Sequence, residues 1–356
     1  MPTPASTPLD LPLIREQVDA CLTGFLTGKI RTAARQGFSQ EIPEIIAEFI
    51  GAGGKRLRPL LCVVGWHAAG GPGRPLPLLR TAAALEMFHA SALIHDDIMD
   101  RSETRHRHPT VHHMLTHRHA GGRAPEWFGI SAAIMAGDMA LVWSDELLNS
   151  AGLSPARLAT ARSMVDAMRE EVIHGQFLDL LAPLGPGTDL DAAWHIILHK
   201  TARYTIEYPL RLGAALAGAE RALHAALTRF AIPVGEAFQL RDDLLGVFGD
   251  PVRTGKPVLD DLREGKHTVL LTLAAQRADR HQRDLLERLI GDPHLDEDDA
   301  ARVRAVLQAT GAHTTVEGLI TDRYEKALTA LGDAPCPPSV TDALRDIARR
   351  ATERSA

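Results

Sequence analysis

Apolar residues recur in this chain at spacings of three and four, not two, as in Leu141, Leu147 and Leu148 or Leu285, Leu286 and Leu289. That period puts apolar side chains on one face of a helix and would scatter them over both faces of a strand. Ala, Leu, Arg and Glu dominate and aromatics are only 4%, a composition that suits helices better than sheets. Breaks fall at Gly70 to Pro77, His117 to Pro125, Pro183 to Asp189, Gly291 to Pro293 and Leu331 to Pro338. Several precede helix starts, among them Ser154 before Pro155, and Ser339 with Asp342 three residues on. The longest uninterrupted stretches, near 77–104, 127–150, 155–181 and 219–248, are expected to form the centre of an all-α helical bundle with no convincing strand.

Residues 1–10 read as a disordered tail, since Met1 to Pro8 is rich in Pro, Thr and Ser without a basic start and apolar core. Residues 11–356 are expected to form a single domain, with 45% apolar content to fill its core. A net charge of −6 gives no electrostatic footprint for nucleic acid. No uncharged apolar run approaches the ~18 residues of a bilayer span, so no membrane span and a soluble protein are expected. The three cysteines, Cys21, Cys62 and Cys336, are far apart and form no CxxC pair. They read as packing residues of a cytoplasmic protein.

Chemistry concentrates in two acidic clusters. Asp96-Asp97-Ile98-Met99-Asp100 closes the apolar stretch 85–94. On a helix Asp96 and Asp100 share a face with Asp97 beside them, and such like charges repel by ~1 kcal/mol per pair even in water. A cation is expected there, and hard oxygen ligands with room for water and phosphate suit magnesium. The second cluster, Phe238-Gln239-Leu240-Arg241-Asp242-Asp243-Leu244-Leu245, again sets paired aspartates in an apolar helix. Two such sets can face each other across a cavity and clamp magnesium ions around one diphosphate.

Cations complete the pattern. Gly53-Gly54-Lys55-Arg56-Leu57-Arg58-Pro59 is a glycine-led basic loop in which backbone donors, Lys55 and Arg58 can grip phosphate oxygens. Arg105 follows the first carboxylate set, Lys256 and Lys266 follow the second, and Lys200-Thr201 adds a basic–hydroxyl pair. Magnesium at one end and Lys/Arg at another imply two polyanionic substrates. No Ser-His-Asp set, dinucleotide turn or P-loop competes.

GGKRLRP, EMFHASALIHDDIMD, FQLRDDLLGVFGD and TGKPVLDDLREGKHT, in this order over roughly residues 45–270, resemble the motif set of the trans-isoprenyl (polyprenyl) diphosphate synthases. The DDLLG form resembles that of actinobacterial members, which include geranylgeranyl diphosphate synthases. The resemblance implies an isoprenoid-synthase-type helical bundle around a central cavity, a homodimer, and three Mg2+ ions per active site. It implies that Asp96, Asp97, Asp100, Asp242 and Asp243 hold magnesium on the allylic diphosphate. Arg105, Lys200, Thr201, Gln239, Lys256 and Lys266 would contact that diphosphate, and Lys55, Arg58 and His89 would hold isopentenyl diphosphate.

Three positions depart from the pattern. Arg105-His106-Arg107 stands where Arg-Arg-Gly is usual, Leu259 where glycine is usual, and Gly246 where the second motif usually has its last aspartate. A class I terpene cyclase-like enzyme on the same scaffold and a catalytically silent partner subunit are the alternatives. Retained Lys55, Arg58 and His89 speak against the first, and intact aspartates against the second. The histidines between 106 and 119 lack a ligand spacing and read as a solvated or pH-sensitive loop.

One and two turns before Asp96, helical geometry points Ala92, Ser91 and Phe88 down the expected product tunnel. Small Ser91 and Ala92 leave room below the metals and Phe88 forms a floor. The expected product is longer than farnesyl, namely geranylgeranyl diphosphate.

Overall fold

The computed structural model describes residues 8–105, 107–184, 187–249 and 259–353. The fold is all-α, 79% helical. The strands among the described residues are a two-residue antiparallel ribbon, β1 (Thr104–Arg105) and β2 (His108–Pro109), with Arg105 opposite His108. Contacts divide the chain into two compact units.

The first unit spans 10–63 and 72–162. It holds α1 (Leu11–Gln36), α2 (Glu41–Gly51), the start of α3 (Leu57–Ala68), α4 (Leu76–Met99), α5 (Val111–Arg118) and α6 (Pro125–Asn149). Asp10 caps α1 by accepting a bond from Leu13 N at 2.9 Å, and left-handed Gly37 ends it. The most extensive packing is α4 along α6, with α1 against α4 and α5 against α6. Ala82, Ala83 and Ala84 are buried along α4, and Ser144 Oγ of α6 donates to Ala84 O at 2.9 Å across the seam. Leu85, Met87 and Ile94 are buried in α4, each stabilising the unit by about 1.5–3 kcal/mol.

The second unit takes in 8–9, 64–71 and the described residues from Ser163 onward. After α7 (Pro155–Leu181), α8 (Leu190–Ile196) runs into a π-helical stretch, Ile197–Glu207, and then α9 (Tyr208–Leu216). The spine is α10 (Arg221–Phe248). Beyond it lie α11 (Asp260–Arg263), α12 (Val269–Arg277), α13 (Arg280–Leu289), α14 (Glu297–Ala309), α15 (Ala312–Gly332) and α16 (Pro338–Thr352). Against α10 pack the π stretch, α15 and α16, around a core that includes Leu240, Leu244, Leu270 and Val316.

The four expected long stretches are helices, but the first stops at Met99 rather than 104, because the chain turns into the ribbon. Ser154 Oγ accepts from Arg157 N at 3.5 Å before α7. Ser339 is not a cap: Pro337 takes that position, and Ser339 lies inside the first turn. Pro338, with fixed φ and no N–H to satisfy, starts the helix two residues earlier. By length and composition α6 is long and apolar enough to cross a bilayer, although Asp138 sits near its middle.

Candidate active site

The first carboxylate set closes α4. Asp100 N bonds back to Asp96 O at 2.8 Å, so the helix ends on the motif itself. Arg101 and Arg107 adopt left-handed φ of 54° and 68°, and Thr110 Oγ1 donates to Ser102 O at 2.9 Å. This tight return brings Arg105 back over the aspartates. Its Nε donates to Asp97 Oδ1 at 2.7 Å and a terminal nitrogen lies 3.4 Å from Asp96 Oδ2.

Asp97 is fully buried. Burial pushes its carboxyl up to about 6, with Asp96 and Asp100 adding to the shift and Arg105 opposing it. Its other oxygen, Oδ2, has no hydrogen-bond partner among the described residues. A buried carboxylate oxygen without a donor is unfavourable by ~1–3 kcal/mol or more, which a cation would offset.

The basic loop and α4 belong to this unit as well. Lys55 is exposed, and Arg58 and His89 are half-buried. On α4, Phe88 and Ser91 are buried and Ala92 is half-buried.

The second carboxylate set lies on α10. Gln239 Nε2 donates to Asp243 Oδ1 at 2.8 Å, and Thr201 Oγ1 donates to Gln239 Oε1 at 2.6 Å. Burial pushes the Asp243 carboxyl up to about 8; the Gln239 bond opposes this, while Asp261 and Asp242 reinforce it. Lys200 Nζ donates to Asp179 Oδ2 at 2.6 Å. Lys266 Nζ lies 3.2 Å from Asp261 Oδ1 and 2.9 Å from Glu264. Lys200 and Thr201 ride on the π stretch, which two glycines let close to its neighbours. A Cβ on Gly175 would overlap Lys200 N, and one on Gly235 would overlap the Ala202 backbone.

Two side chains here escaped the sequence reading. Asp261 lies within the TGKPVLDDLREGKHT motif, yet its carboxylate occupies the space a Cβ on Gly246 would need. A carboxylate from α11 thus fills the space beside the glycine that ends the second motif. Asp179 carries no local signal, because Lys200 is distant in sequence. Lys256 and His106 lie outside the described residues.

The histidine segment shows structural roles. His112 is buried, its Nδ1 is 3.2 Å from Thr110 Oγ1, and its ring lies 4.5 Å from that of His113. Burial, then His113, pushes it down to about 4. His119 pairs with Glu41 at 2.9 Å. Among the described residues no three His, Cys, Asp or Glu side chains converge on a metal-sized site. Magnesium that keeps waters and substrate phosphates in its shell does not require such a cage.

A family model described as polyprenyl synthetase matches residues 39–308. The chain belongs to the polyprenyl synthetase family. It is 35% identical to geranylfarnesyl diphosphate synthase of Aeropyrum pernix, over 80% of this chain and 85% of that one. It is 31% identical to (2E,6E)-farnesyl diphosphate synthase of Mycobacterium tuberculosis, over 85% and 80%. Its fold superposes with a TM-score of 0.93 on geranylgeranyl pyrophosphate synthase of Corynebacterium glutamicum complexed with isoprenyl diphosphate and magnesium. That pair is 42% identical over 98% of this chain and all of the other.

This polyprenyl synthetase is therefore a trans-isoprenyl diphosphate synthase, a prenyltransferase. The family is magnesium-dependent, and the residues present fit that ion. The donors in both sets are hard carboxylate oxygens, and Asp97 Oδ2 is buried without a donor. Each unit carries its own set of such donors, Asp96, Asp97 and Asp100 in one and Asp242 and Asp243 in the other.

Proposed function

We propose that this synthase makes geranylgeranyl diphosphate, adding isopentenyl diphosphate to dimethylallyl, geranyl and farnesyl diphosphates. The observation that carries the product length is on α4. Ser91 is small and buried in the turn before the metal-binding aspartates, Ala92 follows it, and buried Phe88 lies a turn deeper. An aromatic side chain at 91 or 92 would stop growth, and the small side chains at both positions support growth beyond that point. The similarity to the Corynebacterium geranylgeranyl synthase points the same way.

In this reading Lys200, Thr201, Gln239, Lys266, Lys256 and Arg105 bind and orient the allylic diphosphate, while Lys55, Arg58 and His89 hold isopentenyl diphosphate. Magnesium, proposed as three ions per active site, supplies charge neutralisation of the departing diphosphate. The allylic carbon–oxygen bond breaks, and the double bond of isopentenyl diphosphate attacks the resulting cation. A proton then passes to the released diphosphate. No protein nucleophile is needed; the chain's tasks are orientation, charge balance and exclusion of water.

The enzyme is further proposed to act in the cytoplasm as a homodimer. Support for the second copy comes from α6, whose outward face presents Trp127, Met135, Met139 and Val142 at helical spacing, with Met135 60% exposed.

Purified protein with magnesium, isopentenyl diphosphate and each allylic diphosphate in turn is expected to yield a linear twenty-carbon diphosphate by mass spectrometry. Asp96→Ala and Asp242→Ala should each abolish it, and Ser91→Phe should shorten the product. A fifteen-carbon end product, or no effect of Ser91→Phe, would overturn the chain-length reading. A cyclic product formed without isopentenyl diphosphate would favour the cyclase instead.

A further inference from the structure

The basic string Lys55-Arg56-Leu57-Arg58 looks in sequence like interchangeable phosphate ligands, but Arg56 is buried to 6% exposure whereas Lys55 is exposed. Every described bond of its guanidinium points inward. Nε donates to Asp19 Oδ1 of α1 at 2.7 Å, and one terminal nitrogen donates to Ile50 O at the end of α2, also at 2.7 Å. The other donates to Gly53 O at 2.8 Å and to Glu86 Oε1 of α4 at 3.0 Å. One side chain thus joins α1, α2, the glycine loop and α4.

The backbone around it is held in an unfavourable form. Gly53 and Gly54 have φ of 128° and 131°, and Arg56 itself has φ of 50°, in the left-handed region that an arginine rarely adopts. Its carbonyl accepts the first bond of α3, from Leu60 N at 3.0 Å. A Cβ on Gly54 would crowd the Arg56 guanidinium, with Glu86 Oε1 next in line. Glu86 is buried, three residues before His89 on the same helix, and feels Arg58 as well as Arg56. An arginine in a strained conformation persists only where its surroundings over-determine it, and here a buried carboxylate does so.

We propose that Arg56 and Glu86 form a positioning pair that sets the geometry of Lys55, Arg58 and His89 for isopentenyl diphosphate, without either touching the substrate. The inference rests on the functional reading above for the identity of that substrate. Arg56 locks the loop that carries Lys55 and Arg58, and Glu86 ties that loop to the helix that carries His89. Losing the pair releases three substrate contacts together.

The test is the split between the two Michaelis constants. Wild-type enzyme is assayed first with farnesyl and isopentenyl diphosphates; failure to couple them sinks the functional reading before the pair is touched. In Glu86→Gln and Arg56→Lys, the KM for isopentenyl diphosphate is expected to rise about tenfold to a hundredfold, while the KM for farnesyl diphosphate stays within about twofold. The double variant Arg56→Met, Glu86→Leu replaces the buried pair with apolar groups, an exchange proteins often tolerate in stability. It should fold with wild-type helicity yet show the same selective rise. Parallel rises in both KM values, or an unchanged KM for isopentenyl diphosphate in the folded double variant, would overturn the proposal. Loss of helicity in the double variant would equally overturn it, because the pair would then be holding the fold and not the loop.

Discussion

Gly246 and Asp261 show how one position in a motif can be read only together with its tertiary neighbour. The glycine removes a side chain from α10, and the Asp261 carboxylate sits in the space so opened, still 3.2 Å from Lys266. Gly246→Ala puts a methyl where that carboxylate is, displacing Asp261 and with it Lys266. The expected result is a fall in kcat/KM by about tenfold to a hundredfold, measured by steady-state kinetics. Stability should change little, since the helix-propensity gain of about 1 kcal/mol opposes the crowding. Undiminished kcat/KM would mean that Asp261 is idle in catalysis. The general nature of the two acidic clusters was legible in the sequence, because adjacent aspartates in an apolar helix are unfavourable without a cation. The partners of each carboxylate were not. Arg105 on Asp97 depends on a ribbon folding back, and Asp179 on Lys200 depends on two helices meeting.

At the scale of elements, the π-helical stretch Ile197–Glu207 joins α8 to α9. Wider turns of this kind often mark functional positions, and this one carries Lys200 and Thr201. It is anchored by Glu171 of α7, which accepts from Tyr208 Oη at 2.8 Å, Arg203 at 2.8 Å and His199 Nδ1 at 3.2 Å. Burial pushes the Glu171 carboxyl up, but the bonds from Tyr208, Arg203 and His199 outweigh it and hold the carboxyl below its usual range. Stability from this group is therefore complete above the ordinary unfolded carboxylate value and is lost as pH falls through the lower folded one. Glu171→Ala should lower stability by about 2–3 kcal/mol at neutral pH, read by thermal melts. The difference from wild type should narrow on acidification. A gap independent of pH would show that the ionised carboxylate is not the anchor.

For the whole molecule, the exposed apolar residues of α6 place the homodimer proposal on a measurable footing. Val142 is 58% exposed on that face, where a charge adds nothing unfavourable to an isolated chain but would be desolvated against a second copy. Val142→Asp is expected to shift the mass in light scattering from twice to once the 38.6 kDa of the chain, with helicity retained. A wild-type protein already at single mass would remove the proposal.

The sequence by itself determined the all-α class, the positions of the four long helices to within a few residues, and the family's chemistry. The first two depend on periodicity and on Gly and Pro breaks, and the third on the resemblance of short motifs in order, all of which are local. Tertiary structure alone decided that Arg56 faces inward while Lys55 faces out, that the Asp261 carboxylate fills the space beside Gly246, and that Lys200 rests on Asp179. Those outcomes turn on which groups are buried together. Burial comes from elements far apart in sequence, so no window of neighbouring residues contains it.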